Sequence, residues 1–288
     1  MKDSCIVLFF IIAFSVLISP RLYAGDIPSP VEAKLISDAS AIKPGSSFRM
    51  GVLLDIDPRW HVYWKNSGDS GLPTRVKFSL PEGFQAGELM WPLPTVFRAE
   101  GGIVDYGYED SLLLFAYVSA PLEISPDSEV KLAGEVSWVS CREICIPGRA
   151  ELELLLPVSQ DVKEVNSELF KEWKAKLPIN EFDEDIPFNI EVNTAKKENN
   201  LTAVNILLDA DTAVTDIELY PVPGNTLVVD NIKITPQALD EKTTITFDVK
   251  QLPGRESSQT ELDTLIVFTD GSGKRSGVSL PVLLENTN

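Results

Sequence analysis

The chain is poor in the side chains that most site chemistry depends on. Its 288 residues include 3 cysteines, 3 methionines and 1 histidine. So few leave little material for a metal centre, and no Ser/His/Asp arrangement or Gly-rich phosphate loop is visible. Positive charge is also scarce, with Lys+Arg at 25 against Asp+Glu at 43, a net charge of −18. Such a chain repels phosphate backbones, which excludes nucleic acid as a partner, and it is repelled by anionic membrane surfaces. Long apolar runs are lacking too. The one extended run, Cys5 to Ile18, falls short of the roughly 20 residues that span a bilayer. Lys2 precedes it, Pro20 and Arg21 end it, and Leu22-Tyr23-Ala24 follows as a cleavage site. Residues 1–24 therefore read as a secretory signal peptide that is removed, not as an anchor. The mature chain is expected to have no stable membrane insertion.

Removal of the signal takes Cys5 with it and leaves Cys141 and Cys145. An even pair in an exported, oxidising compartment is expected to be bridged at least part of the time.

What is present is a series of short strands. Hydrophobic residues make up 44% of the chain and charged ones 24%, ordinary for a globular protein. Phe48, Met50, Val52, Leu54 and Ile56 fall at every second position, the period of a half-buried strand. Similar runs occur at Trp60–Trp64, Val76–Leu80, Leu112–Val118, Val130–Val139 and Ala150–Val158, with Gly/Pro turns between them. The pattern predicts a β-sandwich or barrel over residues 25–158. Residues 159–177 differ: Val162, Val165, Leu169, Trp173 and Leu177 recur at spacings of three and four, which predicts an amphipathic helix that Pro178 stops. Residues 178–288 return to strands, with Thr202, Val204, Ile206 and Leu208 alternating, as do Ile245, Phe247 and Val249. This last part has no Cys, His or Trp, and a spacer or docking role is its default reading.

The informative stretch is Trp138-Val139-Ser140-Cys141-Arg142-Glu143-Ile144-Cys145-Ile146-Pro147-Gly148. In a helical or turn-like loop, Cα atoms four positions apart lie about 6 Å from each other, within disulfide range. A loop this short supplies only about 2 kcal/mol as a staple, and a domain with several apolar strands does not need it. A short surface dithiol suits opening and closing. Arg142 favours a thiolate on a neighbouring sulfur and Glu143 opposes it. A structural staple and a metal-binding pair remain the other two readings.

Two further motifs accompany the pair: Trp60-His61-Val62-Tyr63-Trp64-Lys65-Asn66-Ser67-Gly68-Asp69-Ser70-Gly71-Leu72-Pro73-Thr74 and Gly101-Gly102-Ile103-Val104-Asp105-Tyr106-Gly107-Tyr108. With the Trp-x-x-Cys-x-x-x-Cys-x-Pro-Gly run, they resemble the N-terminal periplasmic domain of the DsbD and ScsB thiol-disulfide reductases, over about residues 30–158. The resemblance implies an immunoglobulin-like sandwich. With the strand pattern of the rest, the expected fold is all-β: two immunoglobulin-like β-sandwich domains joined by a short amphipathic helix. It also implies a periplasmic location and a redox-active pair, matched here by Cys141 and Cys145. That pair takes electrons from a membrane-embedded donor and passes them to disulfide isomerases, thioredoxin-like proteins or cytochrome-maturation proteins. The later cysteine engages partners, which makes Cys145 the nucleophile and Cys141 the resolving thiol. No cofactor or metal is implied.

The family's membrane and thioredoxin-like domains are not found up to Asn288, so a separate membrane electron donor is expected. DsbD also places a phenylalanine on a cap loop over its disulfide. The matching loop here is about Glu100 to Tyr108, with Asp105 or Val104 near that position and Tyr106 or Tyr108 as alternative shields. The cysteine spacing is closer to the ScsB branch.

His61 and Tyr63 share one strand face, opposite Trp60, Val62 and Trp64. The matching family strand runs beside the cysteine pair, so His61 is a candidate to tune a thiol or supply a proton near neutral pH. The plainer reading is a hydrogen-bonded surface or interface histidine. Two rival functions use the same pair. One is Cu(I) delivery through soft thiolates, linked to copper tolerance. The other is a non-catalytic binding module with a structural disulfide.

Overall fold

The computed structural model describes residues 29–126, 128–180, 186–210, 213–237, 242–252 and 260–284. The expected signal peptide, residues 1–24, lies outside them. Among the described residues no helix is long and apolar enough to cross a membrane.

The chain folds as two immunoglobulin-like β-sandwiches. The first contains β1 (Val31–Ser37), β2 (Ser47–Ile56), β3 (His61–Gly68), β4 (Arg75–Ser79), β5 (Gln85–Ala86), β6 (Thr95–Arg98), β7 (Val104–Glu109), β8 (Ser111–Ser119), β9 (Glu129–Cys141) and β10 (Cys145–Pro157). One sheet has the order β1-β2-β8-β5. The other has the order β10-β9-β3-β7-β6, with β4 also paired to β9. The alternating Phe48, Met50, Val52, Leu54 and Ile56 are all buried, as a strand with one face on the core requires. In β8 the run Leu112–Ala116 is buried without alternation, because both faces of this central strand are covered.

The outer cover is α1 (Ser167–Lys174). Its Phe170 is fully buried and meets Phe115 edge-on at 5.6 Å between ring centroids. Arg49 lies over the same ring at 5.1 Å and is held there by Asp38, with 2.6 Å between Nε and Oδ2. The helix is shorter than the 159–177 that the spacing suggests. Residues 159–166 instead run extended along the β1–β2 connection. Ser40 donates to the Lys163 carbonyl at 2.9 Å, Val165 to that of Asp38 at 2.9 Å, and the Asn166 amide to that of Ser37 at 2.9 Å. Asn166 then adopts φ 54° and turns the chain into the helix. Val162 and Val165 are both exposed, so their helical spacing packs nothing.

The second sandwich contains β11 (Ile179–Asn180), β12 (Phe188–Lys197), β13 (Leu201–Ala210), β14 (Thr215–Val222), β15 (Leu227–Gln237), β16 (Lys242–Gln251), β17 (Glu261–Thr269) and β18 (Arg275–Leu283). Its sheets have the orders β11-β18-β17-β14 and β12-β13-β16-β15. Val204, Ile206 and Leu208 pack with Ile245, Phe247 and Val249 against Leu262, Ile266 and Phe268 in its own core. Leu265 and Val267, on the other face of β17, belong to the core of the first sandwich. A sheet sandwiched between two cores explains why Thr264–Phe268 is buried continuously.

The contact between the sandwiches is specific as well as apolar. Tyr220 is fully buried between Trp64, at 6.0 Å, and Tyr106, at 4.8 Å. Its hydroxyl donates to Glu218 at 2.7 Å. Arg275 donates to the Pro94 carbonyl at 2.7 Å, and the Asn66 amide to that of Pro221 at 2.6 Å.

Candidate functional site

Strand β9 ends at Cys141, a three-residue turn follows, and β10 begins at Cys145. The two cysteines are directly opposite in the ladder and are joined by a disulfide, with 4.2 Å between Cα atoms. The bridge thus closes the tip of a hairpin and not a helical loop, which makes it tighter than the ~6 Å of the helical estimate. The sheet fixes this tip from below. Trp138 lies across Gly148, its cross-strand neighbour, where an added Cβ would sit 2.3 Å from the indole. The Ser140 hydroxyl donates to the Ile146 carbonyl at 3.1 Å.

The two sulfurs have unequal surroundings. Cys141 is buried, at 5% exposure, whereas Cys145 is exposed and follows Ile144, at 60% exposure. Arg142 does not lie free beside the sulfurs. Its guanidinium stacks over Trp60 at 5.1 Å, a cation–π contact that anchors the turn.

His61 is paired with Cys141 on the neighbouring strand, and Glu109 lies opposite His61 on its other side. One lateral row of the sheet therefore reads Cys145, Cys141, His61, Glu109. Opposed side chains of such a row have Cβ atoms about 4.5–5.5 Å apart. The imidazole stacks on Phe97, with centroids 4.4 Å apart and planes 15° from parallel, and meets Tyr63 edge-on at 5.2 Å. Its Nε2 is buried and has no hydrogen-bond partner among the described residues. Burial pushes the His61 pKa below its ordinary value, and the Asp105 carboxylate opposes that shift.

The other sequence candidates divide. Tyr63 is buried beside His61 under the loop 67–73, and burial pushes its pKa up. Gly71, at φ +69°, presses on the ring: an added Cβ would lie 2.1 Å from it. Asp105 is buried and accepts from the Ser70 amide at 2.9 Å and the Ser70 hydroxyl at 2.7 Å. It clamps that loop and does not cap the sulfurs. Tyr106 packs against Tyr220 of the second sandwich. Tyr108 is buried and donates to the Pro92 carbonyl at 2.8 Å. Neither of these two tyrosines lies in the row with the disulfide, and both have raised pKa values through burial. Val104 faces the Asp69 side, where its amide donates to Asp69 at 2.8 Å.

Phe97 is the residue that sequence reasoning missed. It precedes the expected cap loop, and β6 folds back on β7 so that Phe97 opposes Asp105 and reaches His61. An aromatic residue just ahead of Gly101-Gly102 was the available signal. Among the described residues no group of three or more His, Cys, Asp or Glu side chains is placed to hold a metal ion.

Comparisons with known proteins bear on the first domain and on the fold. Residues 31–157 match the family model described as thiol:disulfide interchange protein DsbD, N-terminal. The structure is similar to the crystal structure of the N-terminal periplasmic domain of ScsB from Proteus mirabilis, with a TM-score of 0.61 and 17% identity. The alignment covers 89% of this chain and 95% of that one, so the likeness of fold extends beyond residues 31–157 into the second sandwich. No curated protein matches the chain.

Proposed function

Taking residues 31–157 as a domain of the DsbD N-terminal family, we propose that this protein performs thiol-disulfide interchange in the periplasm through Cys141 and Cys145. The observation that carries the reading is the asymmetry of the pair, one sulfur exposed at a hairpin tip and the other buried beneath it. Exchange needs an incoming thiolate to approach a sulfur along the S–S axis. Cys145 offers that approach, and Cys141 is the leaving sulfur. A partner thiolate bonds to Cys145 Sγ, the Cys141–Cys145 bond breaks, and Cys141 departs with the electron pair. In the opposite direction Cys141 attacks the mixed disulfide on Cys145 and frees the partner.

The fitting partner is a thioredoxin-like or disulfide isomerase protein, whose own exposed cysteine can reach a hairpin tip flanked by Ile144. The second sandwich, fixed through Tyr220 and Arg275, acts as a rigid support for the first.

The test mixes oxidised mature protein with a purified, reduced thioredoxin-fold protein and quenches the mixture in acid. The Cys141–Cys145 bond is expected to be reduced within seconds. Mixed instead with a single-cysteine form of the partner activated as its nitrothiobenzoate disulfide, Cys141→Ser is expected to displace the nitrothiobenzoate thiolate and accumulate a mixed disulfide through Cys145, and Cys145→Ser is not. A wild-type bond that survives the reduced partner would make the pair a staple and leave a binding module.

A further inference from the structure

We propose that His61, the one histidine of the chain, is the acid–base partner of Cys141 and sets the pH at which the buried thiol becomes reactive. The inference rests on the interchange reading above and deepens it. Cys141 lies where water reaches little of it, yet it must lose a proton to attack and must carry negative charge when it leaves. A buried thiol resists ionisation unless a nearby group takes the proton or balances the charge. His61 is the cross-strand neighbour of Cys141, on the same sheet face.

Three observations fit His61 for this role. First, its Nε2 is buried without a hydrogen-bond partner among the described residues, uncommon for a polar atom inside a protein. Disulfide sulfur is a poor acceptor, whereas the dithiol form supplies an S–H donor at Cys141. Second, the stack on Phe97 and the edge contact with Tyr63 hold the ring in one orientation, so the nitrogen does not have to be recruited from solvent. Third, burial keeps the imidazole neutral at neutral pH, the state that accepts a proton. The charged and titratable groups facing the ring are Asp105 and Glu109 from β7, Tyr63 from its own strand, and Cys141 from β9. Phe97 is the neighbour from β6 and carries no charge.

The step balances. With a partner bound to Cys145 as a mixed disulfide, the Cys141 proton passes to His61. The Cys141 thiolate forms the new bond to Cys145 Sγ, and the partner sulfur leaves with the electron pair of the broken bond. The two cysteines of this chain are oxidised to the disulfide and the partner is reduced. The proton on the imidazolium goes to the departing thiolate or to water. Coupling works in both directions: a thiolate at Cys141 raises the His61 pKa, and an imidazolium lowers that of Cys141.

The test uses the whole mature protein. The His61 Cε1–H resonance is unambiguous, and its pH titration is followed by NMR in the oxidised and reduced states. The midpoint is expected below the ordinary histidine value in the disulfide form and to move upward in the dithiol form. Stopped-flow oxidation of the reduced protein by 5,5′-dithiobis(2-nitrobenzoate) then isolates the second phase, in which Cys141 displaces the aryl thiolate from Cys145. For each unit that His61→Phe raises the Cys141 pKa, the thiolate population at pH 7 falls tenfold while its nucleophilicity rises about threefold. The second phase is therefore expected to slow by roughly threefold and its pH profile to move upward by about one unit. His61→Gln, which keeps a polar side chain but cannot titrate, is expected to show the same shift. Identical histidine titrations in the two redox states, or an unmoved pH profile in both variants, would overturn the role of His61 and leave interchange intact. Absence of any second phase in wild type would overturn interchange itself and the inference with it.

Discussion

Replacing Gly71 with alanine perturbs the loop that roofs the site. Gly71 sits at φ +69°, and the new Cβ would lie 2.1, 2.3 and 2.6 Å from three carbons of the Tyr63 ring. Ordinary carbon contacts are about 3.5–4.0 Å, so ring and loop must separate by more than 1 Å. The ring has nowhere to go. It is 1% exposed and lies edge-on to His61. The loop must lift instead, against the two Ser70 bonds to Asp105 and the Asp69 bond to the Val104 amide. Overpacking of a filled site costs about 1–3 kcal/mol, and a left-handed backbone at a non-glycine residue adds about 1 kcal/mol. The expected loss is about 2–4 kcal/mol, read as a fall in the midpoint of urea unfolding with an unchanged slope. The cysteines are not touched, so exchange with a reduced thioredoxin-fold protein is expected to persist at temperatures where the variant is folded. A variant within about 0.5 kcal/mol of wild type would refute the packing argument.

Phe170→Ala is expected to cost about 3–5 kcal/mol, because it uncovers the outer face of β8, and circular dichroism melts would show it. Tyr220→Ala is expected to uncouple the sandwiches, turning one unfolding transition into two, since it removes the ring between Trp64 and Tyr106; one unchanged transition would contradict a shared core. The lowered His61 pKa makes the unfolded state bind more protons than the folded state below the ordinary histidine pKa of about 6.5. The histidine contribution to stability is thus full above that pH and is lost as pH falls through the folded pKa. His61→Gln should remove this part of the pH dependence between pH 7.5 and 5, measured by urea unfolding at both values. In the reduced protein, iodoacetamide is expected to modify Cys145 at least about tenfold faster than Cys141, because the reagent reaches the exposed sulfur and is kept from the buried one; mass spectrometry of the digest reads the ratio.

Much of the architecture was legible because it is written in local periodicity. The alternation from Phe48 to Ile56 reports one buried face, and all five of its apolar residues are buried, with Gly51 the one residue of the opposite face that is buried too. The cysteine pair was legible from spacing, although its hairpin geometry depends on the long pairing of β9 with β10. Other features depend on contacts between distant segments. The helical spacing of Val162 and Val165 was overridden by backbone bonds to the chain at 38–40. Tyr106 and Tyr108 sit in the loop motif beside Asp105, but the second sandwich draws the first inward and Pro92 holds the second. The stack of Phe97 on His61 requires β6 to pair with β7, a fact of register that no single motif states. The continuous burial of Leu265–Phe268 likewise reflects two cores on opposite faces of one sheet.

The reduction potential of the Cys141–Cys145 pair tests the central claim most directly. The mature protein is equilibrated in glutathione and dithiothreitol buffers, and its free thiols are counted by mass after alkylation. Exchange proteins poise between about −120 and −270 mV, whereas structural disulfides of secreted proteins lie below about −300 mV. An interchange protein with one sulfur open at a hairpin tip is expected in the first window. A value well below −300 mV, reached with slow reduction, would contradict it and make the bridge a staple.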